Sequence, residues 1–161
     1  GGVVHFKDEQ LNEKLRDFTN FNLLLGLTTF SGTNGKLSEL NAALGLAVLE
    51  SYDAIFSKRR EIEEKYRETL PPQIFFISDN PSIINNNLYT PLIFPSEDKV
   101  LEIMNLFLER GVTSRRYFFP CLDENCSIAA DIARRVLCIP THVNLSQEEI
   151  DLVCNIVNDA Y

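Results

Sequence analysis

The chain has 161 residues, 45% hydrophobic and 24% charged, which is enough apolar material for a folded domain or a large part of a bigger protein. Its formal net charge of −8 argues against general nucleic-acid binding, while a nucleotide-sized ligand could still be held by a few local basic groups. No run approaches the roughly 18 uninterrupted apolar residues of a membrane-spanning helix; the longest apolar passage, Leu40 to Leu49, is short and contains Asn41.

Gly1-Gly2-Val3-Val4-His5-Phe6 opens without Met. Val3 to Phe6 reads as a short strand, expected to join a sheet whose other strands lie elsewhere. From Asp8 to Phe18 the pattern is helical, with Leu11, Leu15 and Phe18 on one face and Asp8 and Glu9 suited to an N-terminus. A Thr-, Ser- and Gly-rich loop follows, ending in Ser31-Gly32-Thr33-Asn34-Gly35. The two glycines admit positive φ and let backbone N–H groups point outward.

Lys36 to Glu50 reads as a helix that is apolar or small nearly all round, so it is expected to be buried on most sides, at a subunit interface or between layers. The next helix differs. Ile55, Arg59, Ile62, Tyr66 and Leu70 form one stripe, and charged residues cover the rest until Pro71-Pro72. Strands are expected at Ile74 to Ile77, Leu88 to Phe94, Val112 to Phe119 and Val136 to Ile139. A helix begins after Ser96 and stops at Gly111. The last helix carries a capping box, Ser146 with Glu149, and a Leu145–Ile150 staple.

Cys121, Cys126, Cys138 and Cys154 match no zinc or redox spacing, and Cys138 and Cys154 sit in apolar runs as small core residues. Without a secretory signal the cytoplasm is the default compartment. His5 and His142 are far apart in sequence with no ligand spacing; His5 reads as structural, and His142 lies after Pro140 at a strand end.

Two segments carry more chemistry. Gly32 to Lys36, entering a helix, is either an anion site built from N–H groups and the Asn34 amide, or a turn in which Asn34 or Ser38 caps the helix. Ser114 to Pro120 places Arg115 and Arg116 beside aromatics. That is either a pyrophosphate and base site or a strand with its arginines in solvent.

The passage Gly32 to Glu50, GTNGKLSELNAALGLAVLE, resembles the G-x-N-x-K/R-hydrophobic-x-E-x-x-A-A-x-G segment of the DegT/StrS-like sugar aminotransferases. Other pieces follow in the family's order. Gly1-Gly2 resembles the pair after the cofactor lysine. Arg59-Arg60 with Tyr66 resembles its R…Y…L helix, and Gly111 to Pro120 resembles its G-I/V-x-x-R-x-Y-x-x-P strand. Val136 to Pro140 with Leu145 to Ile150 resembles its C-terminus.

The resemblance implies an α/β fold: the C-terminal part of a fold-type-I aminotransferase dependent on pyridoxal 5'-phosphate. Residues 1–54 would end the large cofactor-binding domain with an interface helix, and 55–161 would form the small α+β domain. It implies a homodimer with active sites between subunits. Asn34 would reach the cofactor phosphate of the partner subunit, and Arg116 and Tyr117 would lie near the sugar-nucleotide pocket. The Schiff-base lysine, and the Asp that pairs with the pyridine nitrogen, are expected upstream of Gly1, so residues 1–161 alone are expected to be inactive. The implied reaction moves an amino group from an amino acid, glutamate first among candidates, to a nucleotide-linked keto-deoxy sugar. Two alternatives stand beside it: a relative with histidine for the lysine, running cofactor-dependent sugar deoxygenation, or a non-catalytic C-terminal piece acting as an interaction module.

Overall fold

The computed structural model describes residues 2, 4–24, 27–28, 31–76 and 85–161. They form two compact units, Gly1–Tyr52 and Asp53–Tyr161.

In the first unit, α1 (Glu9–Thr19) starts where the Asp8 carboxylate accepts the backbone N–H groups of Gln10 and Leu11. A two-residue antiparallel pair follows, β1 (Leu23–Leu24) with β2 (Leu27–Thr28). Residues 4–6 are not in a strand, and Val3 lies outside the described residues. A strand needs a partner for its N–H and C=O groups, and residues 4–6 pair with none of the described residues. His5 is accordingly exposed rather than packed.

Helix α2 (Glu39–Glu50) begins three residues later than its apolar pattern suggests, because the Ser38 hydroxyl takes the N-cap position and accepts from Asn41 N–H. Its sequence calls for burial on most sides, yet no α2 residue is buried in this chain: Leu40 is 81% exposed and Leu44 64%.

The second unit has a core. Helix α3 (Tyr52–Thr69) contributes Ile62 and Tyr66. An antiparallel sheet follows in the order β3 (Phe75–Phe76), β4 (Thr90–Ile93), β5 (Val136–Ile139). Ile77 lies outside the described residues. Helix α4 (Glu97–Glu109), capped by Ser96, buries Val100, Ile103 and Phe107, and Gly111 ends it at φ 71°. Helix α6 (Gln147–Asp159) has its capping box and buries Ile150, Val153 and Val157. All four β5 residues are buried, and so is Cys154.

Two elements differ from expectation. Residues 112–119 make no strand: Arg115 alone bridges to Cys138, through hydrogen bonds of 3.0 and 2.7 Å. Farther along, Phe119 N–H turns back to Arg116 C=O, which takes the backbone out of the ladder. Helix α5 (Ser127–Arg135) had no start signal in the sequence, because its N-cap residue, Cys126, makes no side-chain capping bond. It is held by the burial of Ala130 and Ala133.

Candidate functional site

The loop before α2 is pinned to the end of α1. Thr33 N–H donates to Phe18 C=O at 2.8 Å, Gly35 N–H to Thr19 C=O at 2.8 Å, and Phe21 N–H to Thr33 C=O at 3.0 Å. These bonds correct the expectation of outward N–H groups, since two of the loop's amides are already spent on protein carbonyls. The glycines serve close approach rather than positive φ. A Cβ on Gly32 would stand 2.4 Å from the Phe21 carbonyl carbon, and one on Gly35 would stand 2.8 Å from Thr19 Cβ. Lys36 Nζ donates to Asn20 Oδ1 at 3.0 Å and lies over the Phe21 ring. What this frame presents is Asn34, whose backbone bridges Asn20 and which is exposed. Because Ser38 caps α2, Asn34 is not the helix cap.

The second unit contains a cleft of about 230 Å³. Its walls include Arg59 of α3, Tyr89, Thr113, Arg115, Thr141 and His142. Each wall has an anchor. Tyr66 O–H donates to Pro140 C=O at 2.8 Å, and burial pushes its pKa up. The buried hydroxyls of Thr90 and Thr141 share a hydrogen bond of 2.6 Å, which fixes the turn after β5. Asn87, at φ 47°, donates to the buried Glu63 carboxylate at 2.5 Å and so ties the segment before Tyr89 to α3. Glu63 is balanced by Arg67 at 2.6 Å.

The adjacent arginines divide. Arg116 donates to Glu97 at 2.7 Å and to Arg134 C=O at 2.8 Å, stacks on the Phe119 ring at 3.7 Å, and is only 12% exposed at its side chain. Its Nη2 is committed to protein partners, while its Nε is buried with no acceptor among the described residues. Arg115 is the one that lines the cleft. Tyr117 is half-buried, edge-on to Tyr89 at 4.8 Å and stacked with Phe118 at 4.9 Å. His142 is exposed at the cleft. Sequence reasoning offered Arg115 only together with Arg116, as half of a possible pyrophosphate and base site, and missed Arg59 as a cleft residue. The available signal was Arg59 standing inside an otherwise apolar helical stripe. Among the described residues no cluster of His, Cys, Asp or Glu could hold a metal ion, and no helix is long and apolar enough to cross a membrane.

The profile of the DegT/DnrJ/EryC1/StrS aminotransferase family matches residues 1–158. The chain belongs to this family. It is 30% identical, over 92% of its length, to a dTDP-4-amino-4,6-dideoxy-D-glucose transaminase of Escherichia coli, of which it covers 45%. It is 28% identical to the transaminase of the same name in Shigella dysenteriae, covering 48% of that protein. The chain thus spans a little under half the length of these curated relatives. Among solved structures it is similar to DesI in the presence of its TDP-sugar product, with a TM-score of 0.78 and 26% identity over 93% of this chain and 42% of that one. The aminotransferase TlmJ of Streptoalloteichus hindustanus shares the fold, with a TM-score of 0.83 at 18% identity over 96% of this chain and 46% of that one. The fold is therefore the C-terminal part of a fold-type-I aminotransferase, and the family's cofactor is pyridoxal 5'-phosphate.

The residues present fit one part of a site for that cofactor. A phosphate needs donors that are not already spent, and Asn34 offers an exposed amide on a loop fixed by three backbone hydrogen bonds and two close glycine contacts.

Proposed function

We propose that the protein containing this chain transfers an amino group from an amino acid, glutamate in our reading, to the keto group of a nucleotide-linked deoxy sugar. The family match over residues 1–158, with a dTDP-4-amino-4,6-dideoxy-D-glucose transaminase at 30% identity, carries this reading. Bound pyridoxal phosphate supplies the electron sink for the exchange. In this reading the lysine that anchors it lies outside residues 1–161, which bind and orient rather than catalyse.

Within that reading, the Asn34 amide donates to a phosphate oxygen of the cofactor held by the partner subunit of a homodimer. The exposed apolar surface of α2 supports its placement at that dimer interface, since so large a patch is unfavourable in water. Tyr117, fixed edge-on to Tyr89, gives the sugar nucleotide a rigid aromatic surface. Arg116 acts as a positioning residue: its bonds to Glu97 and Arg134 hold the 116–119 turn that aims Tyr117.

The test uses the whole cofactor-loaded protein. L-glutamate should shift its visible absorbance to that of the aminated cofactor, and a dTDP-linked 4-keto-6-deoxy sugar should reverse the shift and gain an amine by mass. A spectrum that glutamate does not move, with the keto sugar recovered unchanged, would refute the reading.

A further inference from the structure

The four cysteines of the chain stand in two environments. Cys138 in β5 and Cys154 in α6 are buried in the core. Cys126 is exposed and Cys121 half-buried, and both line a second cavity of the larger unit, of about 340 Å³. Apart from Asp123, the rest of its wall is apolar: Phe118, Pro120, Leu122 and two alanines of α5. We propose that Cys121 and Cys126 form a dithiol modification site, which a small disulfide such as oxidised glutathione converts to an internal disulfide.

The loop between the two cysteines folds them toward each other. Cys126 N–H donates to Asp123 C=O at 3.1 Å, closing a four-residue turn. Such a turn holds its first and last Cα within about 7 Å. The Cys121 thiol donates to the same carbonyl at 3.4 Å. One oxygen therefore anchors the backbone of one cysteine and the sulfur of the other. The Asp123 carboxylate stiffens the turn, accepting from the backbone and side-chain N–H groups of Asn125, both at 2.9 Å. An extended chain would set the pair about 17 Å apart. The folded loop instead brings them toward the roughly 4.4–6.8 Å between Cα atoms that a disulfide spans. Neither thiol is held by a strong partner. Cys126 occupies the N-cap of α5 without making a side-chain capping bond, and the Cys121 thiol is a weak donor.

The chemistry balances within the pair and one reagent. Exposure makes Cys126 the first to react and Cys121, half-buried beside it, the resolving thiol. The Cys126 thiolate attacks one sulfur of oxidised glutathione, breaks its S–S bond and expels one glutathione thiolate. Cys121 then loses its proton, attacks the Cys126 sulfur of the mixed disulfide and expels the second glutathione. The pair gives up two electrons and two protons; the reagent takes both and leaves as two thiols. Cys138 and Cys154 take no part, because burial raises their pKa and hides them from the reagent.

The test treats the whole reduced protein with one equivalent of oxidised glutathione, alkylates the remaining thiols and reads the mass of each cysteine peptide. In wild type the peptide holding Cys121 and Cys126 should lose two hydrogens and carry no glutathione. Cys121→Ser and Cys126→Ser should each stop at the mixed disulfide and gain one glutathione. Cys126 is exposed, so Cys126→Ser should melt like wild type. Phenylarsine oxide gives a second measurement that needs no variant. Its arsenic bonds two neighbouring sulfurs at once and releases its oxygen, with the two thiol protons, as water. One equivalent should protect Cys121 and Cys126 together from alkylation. Wild type that does not react, that accumulates a glutathione adduct without the internal bond, or that links either cysteine to Cys138 or Cys154 would overturn the proposal. So would alkylation undiminished by the arsenical.

Discussion

In the unit Asp53–Tyr161, Tyr66, Phe94, Phe107 and Leu137 are completely covered by their own chain, whereas no residue of α1 or α2 in Gly1–Tyr52 is buried. The helices of the larger unit are amphipathic, so one apolar face each closes a core and leaves a polar face to water. Helix α2 has no polar face to offer. The same effect that stabilises Phe107 in place leaves Leu40 and Leu44 as exposed apolar surface. One unit therefore carries its own stability and a preformed cleft. The other presents a pinned loop and an apolar helix, and its role depends on what it meets.

The largest effect that separates the units is core truncation. Phe107→Ala should cost about 3–5 kcal/mol of unfolding free energy by urea denaturation, while Phe18→Ala, at a partly exposed position, should cost under about 1 kcal/mol. Similar losses at both positions would mean that the smaller unit carries a core of its own.

Next is Asn34→Ala in the whole protein. Loss of a hydrogen bond to a charged group, about 1.5–3 kcal/mol, should weaken pyridoxal phosphate about ten- to a hundredfold. The apo melting temperature should stay put, because Ser38 and not Asn34 caps α2. Wild-type affinity with a lowered apo melt would remove Asn34 from the phosphate.

Gly32→Ala sharpens the same point about the loop. Its new methyl would meet backbone atoms at 2.4 Å, an overpacking worth about 1–3 kcal/mol, and hydrogen exchange at the Thr33 and Gly35 amides should speed up. Protection equal to wild type would show that the loop does not depend on this close approach.

Smaller still is Ser146→Ala, which removes the capping box of α6 and should lower stability by about 1 kcal/mol in thermal or chemical melts. An unchanged melt would show that burial alone holds the start of that helix.

The last comparison needs no mutation. Burial raises the thiol pKa of Cys138 and Cys154, so at a given pH less of each is thiolate, while Cys126 is exposed and Cys121 half-buried. A disulfide reagent at pH 8 should label Cys126 and Cys121 promptly and the other two only on unfolding. Four thiols reacting together would place the 136–139 strand and α6 outside the stable core.

Much of this was legible before any coordinates. Asp8, Ser96 and the Ser146–Glu149 pair announce helix starts, because a side-chain oxygen close in sequence satisfies an orphan amide. The stripe on α3 names Ile62, Tyr66 and Leu70 of the core for the same local reason: a 3.6-residue period selects one face. The motif at Gly32 to Glu50 carries the family. Tertiary structure decided the rest. Residues 112–119 leave the sheet because the Phe119 amide finds the Arg116 carbonyl, and α5 exists because Ala130 and Ala133 find cover without any cap. The division between Arg115 and Arg116 follows from where Glu97 and the Arg134 carbonyl stand, distant in sequence and adjacent in space. Periodicity reports which face of an element is apolar. Which of two neighbouring charges is satisfied depends on partners that only the folded chain brings within 3 Å.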